Sequence, residues 1–360
     1  MNSDVAICKT NAGGRNSTSL DNTFQIATRQ YTRLRKNHHL SDLIVFGAGL
    51  SKSYGFPLSG ELLGTSLEFH ENRYGSAKLR LLNEFLEYFY PIRGGIRANA
   101  LDFEDVLGMI DAVSDYSNVR NNRFPGFKWR SGEIESIRHR LIRCVTEYLW
   151  ARQEDALLTG MAKLRDLVQS IGPNAVYVTF NYDLLLEAAL SMERIPYTYT
   201  LSRSPDIVSV LKPHGSINWY ENKIAAKSPK SLIWHNIGDN VAVCTNLVST
   251  KWCARHPAII IPPTPNKKYE IHEIKKTWTS FSSAVTNCPR LTVIGYSMPG
   301  IDRFARFVLR KAGPGHNCRK IKVVVPDSIE PTYERYVSPE VEHARTKFEH
   351  CDISRLFEKI

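Results

Sequence analysis

Residues 43–46, Leu-Ile-Val-Phe, run straight into Gly47-Ala48-Gly49. An apolar run this short fits a strand buried on both faces, and glycine directly after it lets the backbone turn tightly. Residues 176–180, 291–294 and 321–325 repeat the pattern, and 208–211 and 258–261 are two further strand candidates. Helical patterns lie between them. Doubly buried strands alternating with helices predict a parallel, doubly wound α/β sheet.

The spacing of these runs is uneven. More than a hundred residues separate the first strand from residue 176, and segments 79–90, 103–113, 134–149 and 156–169 carry apolar residues at three-to-four spacing. They predict a helical insert over 66–170, with 116–129 as a loop around Pro125 and Gly126. The α/β domain is then assembled from 23–65 and 171–340, after a flexible leader at 1–22 and before a C-terminal helix at 341–360. Residues 221–265 are expected to add a few strands or a lid.

Composition narrows the class. No run of about 18 apolar residues exists to span a membrane, and the polar N-terminus lacks the apolar core of a secretory signal, so a cytoplasmic protein is expected. The seven cysteines include no C-x-x-C pair, and the nearest two, Cys244 and Cys253, are too far apart for ordinary zinc-ribbon spacing; no metal is expected. The formal net charge of +11, with clusters at Arg29, Arg33, Arg35 and Lys36 and at Lys267, Lys268, Lys275 and Lys276, is compatible with a solvated basic face, an acidic partner or an anionic ligand.

Four stretches carry candidate chemistry. Gly47-Ala48-Gly49-Leu50-Ser51 is either a plain tight turn or a pyrophosphate cradle at a helix start; Lys52 stands where the dehydrogenase fingerprint wants its third glycine. Thr179-Phe180-Asn181-Tyr182-Asp183 places polar side chains at the carboxyl end of a strand, where open α/β sheets bind ligands, or caps the following helix. His214, ahead of Gly215-Ser216, is either a proton acceptor working near neutrality or a structural histidine. Gly295 and Ser297 form a fourth polar turn, with Asp302 as the N-cap of the next helix.

Together these stretches resemble the sirtuin family. Gly47-Ala48-Gly49, Ser51, Gly55 and Pro57 match its G-A-G-x-S-x-x-x-G-x-P; Thr179, Asn181 and Asp183 match T-x-N-x-D; His214-Gly215 matches the catalytic H-G; Gly295 and Ser297 match the later G-x-S. The resemblance spans roughly 42–327, the helical stretch from about 66 to 170 excepted. Leu58-Ser59-Gly60 replaces the D-F-R of protein-deacylating sirtuins, and the paired C-x-x-C of their zinc module is missing. The chain is therefore similar to the divergent, zinc-module-lacking sirtuin-like branch of bacterial anti-phage systems, whose members hydrolyse NAD. Phe103-Glu104-Asp105 on a helix is similar to that branch as well.

The resemblance implies a Rossmann-like, sirtuin-like fold with NAD as substrate and cleavage to nicotinamide and ADP-ribose. It implies catalysis by Asn181 and His214 with support from Asp183. It assigns the dinucleotide to Gly47, Ala48, Gly49, Ser51, Pro57, Thr179, Gly295 and Ser297, with Asp327 toward the adenosine. Such an effector needs restraint. The expected means are a homo-oligomer or a partner such as a HerA-like ATPase or a short Argonaute system, with nucleic acid engaged only indirectly and no membrane. Docking surfaces are expected at 29–36 and 350–360, where ordinary capping helices are the alternative. The rival in the binding class is a catalytically quiet NAD or ADP-ribose sensor.

Overall fold

The computed structural model describes residues 42–91, 101–120, 129–202, 204–248, 252–263, 271–314, 317–326 and 332–357. The leader, the Arg29–Lys36 cluster, Cys8, Lys267, Lys268, Asp327 and residues 358–360 lie outside them.

Chain order begins with β1 (Asp42–Phe46), α1 (Ala48–Lys52), α2 (Ser59–Tyr74), α3 (Arg80–Phe89), α4 (Phe103–Arg120), α5 (Ser131–Leu158) and α6 (Ala162–Ile171). It continues through β2 (Ala175–Thr179), α7 (Leu185–Met192), β3 (Tyr197–Thr198), β4 (Val208–Leu211), β5 (Gly215–Ser216), β6 (Trp219–Glu221) and α8 (Asn222–Ala225). The remainder is β7 (Trp234–Asn236), β8 (Val241–Cys244), β9 (Ile259–Ile260), α9 (His272–Asn287), β10 (Arg290–Ile294), α10 (Arg303–Leu309), β11 (Lys320–Val325), α11 (Thr332–Tyr336), β12 (Val341–Arg345) and α12 (Ile353–Leu356).

Seven strands form one sheet in the order β12-β11-β10-β1-β2-β4-β3, every pairing parallel. The architecture is α/β and Rossmann-like, as the apolar runs predict. Leu43, Ile44, Val45 and Phe46 have essentially no exposure because β1 is central, flanked by β2 and β10. Each such side chain stabilises the fold by roughly 1.5–3 kcal/mol. At its other end β1 is held to β10 by Arg290, whose Nε donates to Asp42 Oδ1 at 2.8 Å while Nη2 binds the second carboxylate oxygen.

The helical segment between β1 and β2 is organised on α5, against which α2, α3 and α4 pack. Its 28 residues reach about 42 Å at the usual helical rise. The segment expected to be a loop at 116–129 is helical through Arg120, and the helix expected at 156–169 is split. There α5 ends at Leu158, and Gly160 and Met161 take positive φ of 70° and 48° before α6 begins. Helix α2 runs across residue 66, so the insert has no break at that boundary.

The expectation of a C-terminal helix over 341–360 is corrected. Residues 341–345 are the edge strand β12, paired in parallel with β11, and among the described residues a 3-10 turn at Phe348–His350 and the single-turn α12 follow. Val-Glu-His-Ala-Arg carries too little apolar signal to announce a strand; its conformation comes from the ladder offered by β11. Of the stretch expected at 221–265, the described residues supply β7 and β8, which join β6 in an antiparallel sheet β6-β8-β7, and β9, which pairs with β5 outside the main sheet. Among the described residues no helix is long and apolar enough to cross a membrane.

Candidate active site

The chain leaves β1 for β2 on one side, while β10 occupies the other side of β1. In sheets of this kind the carboxyl ends of the strands at such a reversal are the usual ligand position. The turns after β10, β1, β2 and β4 line this edge in that order, carrying Gly295, Gly47, Asn181 and His214.

Gly47 and Gly49 are needed for close approach. Gly47 N–H donates to the Ile294 carbonyl at 3.1 Å and Gly49 N–H to the Gly295 carbonyl at 2.8 Å. A Cβ on Gly47 would lie 2.5 Å from Tyr296 Cα, and one on Gly295, whose φ is +68°, would run into Leu50 N. The turn after β1 is thus locked to the turn after β10, and two of its N–H groups serve that lock. Helix α1 has only five residues, with Lys52 paired to Glu61 of α2 at 2.6 Å.

The polar residues after β2 converge on the same turn. Asn181 Nδ2 donates to the Gly47 carbonyl at 3.0 Å and to Ser51 Oγ at 2.7 Å, and Ser51 Oγ donates to Asp183 Oδ2 at 2.6 Å. All three side chains are buried. Asp183 also accepts from Leu185 N–H at 3.1 Å, so it holds the first turn of α7 as well; Asn181 does not cap that helix. Thr179 Oγ1 accepts from Asn181 N–H at 3.1 Å and shapes the turn locally.

His214 follows β4 and is held by the small β5-β9 ladder, where its carbonyl accepts from Ile261 N–H at 2.9 Å. Its ring lies 5.0 Å from that of Phe180 and 5.8 Å from that of Trp278. Phe180 stacks on Tyr296 at 4.3 Å, so one aromatic layer joins the turns after β2 and β10 to the histidine. His214 Nε2 is 3.3 Å from Asp302 Oδ2, both residues being almost fully buried. Of the remaining expected site residues, Pro57 is half-buried in the loop before α2, and Ser297 is exposed in the turn after β10.

Four relationships were not evident from local sequence. Lys212 and Glu187, both fully buried, pair at 2.9 Å, and Lys212 Nζ also donates to the Asp183 carbonyl at 2.5 Å. Tyr182 hydroxyl donates to Glu104 Oε1 at 3.1 Å, which brings the Phe103-Glu104-Asp105 segment of α4 to the site. Tyr296 hydroxyl donates to Asp302 Oδ2 at 2.8 Å. Burial first, and then the neighbouring carboxylates, push the Tyr182 and Tyr296 phenols well above the usual tyrosine range, so both remain donors. Lastly, Cys244 and Cys253 lie side by side with sulfurs 3.7 Å apart. Among the described residues no group of three or more His, Cys, Asp or Glu side chains forms a metal-holding cluster.

Residues 175–335 match the family model of the SIR2-like domain. The match supports a sirtuin-like domain. It runs from β2 through α11, somewhat less than half of the chain, and leaves the glycine turn after β1 outside. No curated protein matches significantly. Solved structures with similarity to the chain include "Structure of Sir2Tm bound to a propionylated peptide", 11% identical, covering 91% of this chain and 96% of that one with a TM-score of 0.33. A mutant Sir2 homologue in complex with ADP ribose is 14% identical, with 85% and 87% covered and a TM-score of 0.33. "Sir2-p53 peptide-NAD+" is 12% identical, with 91% and 96% covered and a TM-score of 0.33. A likeness this faint adds nothing to the fold or the function of the chain.

Proposed function

We propose that the chain is an NAD glycohydrolase that cleaves NAD to nicotinamide and ADP-ribose. The observation that carries the reading is the Asn181–Ser51–Asp183 chain of hydrogen bonds, which ties the turn after β1 to the turn after β2 beside the switch point of the sheet. The SIR2-like match over 175–335 and the neighbouring buried histidine support it.

Cleavage breaks the bond from ribose C1′ to the pyridinium nitrogen. The bonding pair stays on nitrogen, nicotinamide leaves neutral, and no general acid is required. Positive charge develops on the ribose and is relieved as water oxygen bonds to C1′. The water proton passes to His214, directly or through a ribose hydroxyl, and then to solvent. Asn181, held against Gly47 and Ser51, orients ribose and water, and Asp183 fixes Ser51 from the far side. Gly47, Ala48, Gly49 and Ser51 take the pyrophosphate side. Gly295 and Ser297 take the adenosine ribose and phosphate, with Asp327 toward the adenosine. Ligand entry on this reading re-forms the Ser51 hydroxyl contacts, because its oxygen is engaged by Asn181 and Asp183.

Biologically, the reading is of an effector that depletes NAD during phage infection in the cytoplasm and is restrained by self-assembly or by a partner such as a HerA-like ATPase. Its basis is the motif resemblance, together with the departure at Leu58-Ser59-Gly60 from the deacylase pattern. The test is NAD consumption by the purified chain, with product chromatography, beside Asn181→Ala and His214→Ala. Nicotinamide and ADP-ribose in equal amounts, lost in both variants, are expected. Tight ADP-ribose binding with no cleavage, alone and with the product of the adjacent gene, would overturn the enzyme reading in favour of a sensor.

A further inference from the structure

We propose that Asp302 is the positioning residue of His214, forming with it a buried carboxylate–imidazole pair that sets the proton affinity of the base. The inference rests on the glycohydrolase reading for its consequence in catalysis, and on geometry alone for the pair itself. Asp302 begins α10 and carries two separate loads. Its Oδ1 accepts from Ala305 N–H at 3.3 Å, the ordinary work of an N-cap. Its Oδ2 accepts from Tyr296 hydroxyl at 2.8 Å and lies 3.3 Å from His214 Nε2.

Capping accounts for the first oxygen only. Serine, threonine or asparagine would cap α10 equally well, and none carries the charge that the second oxygen presents to an imidazole. Tyr333 hydroxyl donates to the Tyr296 carbonyl at 2.6 Å and so braces the turn that delivers the Tyr296 phenol. Phe180 and Trp278 cover the imidazole with apolar rings, excluding water that would screen the pair.

The charges around this pair come from several elements. Asp302 approaches from the start of α10 and Tyr296 from the turn after β10. Glu104 and Asp102, at the start of α4, act on Tyr182 beside Asp302. Lys212, two residues before His214, is turned to Glu187 and the Asp183 carbonyl. The Asp302 carboxylate, 3.3 Å from Nε2, is the charge that favours imidazolium, against the burial of the ring that disfavours it. A base held this way takes a proton from water or a ribose hydroxyl more readily, and the cation formed is stabilised where it arises.

The variant is Asp302→Asn, which keeps the cap and the shape while removing the charge. Tyr296→Phe serves as a comparison that removes one donor and leaves the charge. Two readouts are taken on the full-length protein. The first is the pH dependence of kcat and KM for NAD. The second is the titration of the His214 ring by NMR of histidine-labelled protein, assigned with His214→Ala. In Asp302→Asn, kcat is expected to fall by about 10²–10⁴ with KM changed less than about threefold. The acidic limb and the NMR midpoint should both move down by about one unit, a tenfold change in proton affinity. Tyr296→Phe should leave the midpoint within a few tenths of a unit. Unchanged kcat and an unchanged midpoint in Asp302→Asn would overturn the proposal. Should the wild-type chain fail to cleave NAD under every condition, the glycohydrolase reading fails, and the NMR midpoint alone decides the pair: a downward shift sustains it and a fixed midpoint removes it.

Discussion

Lys212 and Glu187 form an ion pair with no solvent exposure, Nζ standing 2.9 Å from Oε1, and the same ammonium binds the carbonyl of Asp183 at 2.5 Å. A second donor, the Tyr199 hydroxyl, reaches Glu187 Oε1 at 3.2 Å. The pair therefore fixes the backbone at the residue that holds Ser51. Lys212→Met leaves a buried carboxylate without its counter-charge and is expected to destabilise the fold by about 3–5 kcal/mol in urea titrations. The double variant Lys212→Met with Glu187→Leu should recover most of that loss. A double variant as unstable as the sum of its parts would show that the two residues do not act on each other.

Ser51→Ala removes the hydroxyl shared by Asn181 and Asp183. Two buried polar groups each lose a partner, at a cost of about 1–3 kcal/mol in unfolding free energy. On the proposed mechanism NAD cleavage should fall at least tenfold at saturating substrate, because Asn181 loses one of its two anchors. Full activity in this variant would count against the role given to Asn181.

Alanine at Gly47 or Gly295 puts a methyl group into backbone. Gly47→Ala meets Tyr296 Cα and should cost about 1–3 kcal/mol by overpacking. Gly295→Ala should cost more, since its positive φ adds strain to a contact with Leu50 N. Gly60→Ala, where nothing lies within 4 Å of the added carbon, is the control and should stay within about 0.5 kcal/mol of wild type. Thermal unfolding of the three variants tests the order.

His70 of α2 is buried, and neither ring nitrogen has a hydrogen-bond partner among the described residues; its nearest carboxylate, Glu147 Oε2, is 3.9 Å from Nε2. Burial lowers its pKa, Arg143 and Arg140 adding to the effect and Glu147 opposing it. The folded state then binds fewer protons than the unfolded one over this range. Stability contributed by neutral His70 is present at alkaline pH and declines as pH falls through about 6.5 toward the depressed folded value. Urea midpoints measured from pH 8 to 5 should drop below about pH 6.5 in wild type, with a shallower drop in His70→Gln. Parallel curves for the two would show that His70 is not the group responsible.

The parts of the fold written in short apolar runs were legible. Residues 208–211 match β4 at both ends, and the four main runs lie within a residue of β1, β2, β10 and β11. Their signal is strong because strands buried on both faces need uninterrupted apolar residues. Strands β12 and β3 were not legible: one lies at an edge with polar side chains, and the other has two residues. Asn181, Asp183 and His214 stood out as polar residues at strand ends, yet their partners did not. Ser51 is 130 residues from Asn181 and Lys212 is 25 from Glu187, and no periodicity connects such positions. A lysine directly after Val-Ser-Val-Leu was the one available hint, since a charge continuing a buried strand needs a partner. Asp302 was legible as a cap, and its second oxygen was not.

The lock between Gly47, Gly49 and Gly295 also bears on synthesis. Strand β1 leaves the ribosome well before β10, its neighbour on one side, which follows roughly 250 residues later. Long-range pairings of this kind form late, after intervening chain has been made and the loop closed. On the proposed function, no nascent fragment ending before residue 290 has both strands at the reversal of the sheet, and none ending before residue 302 has the carboxylate beside His214. A translation product interrupted before that point would then lack the pair that the destructive chemistry uses.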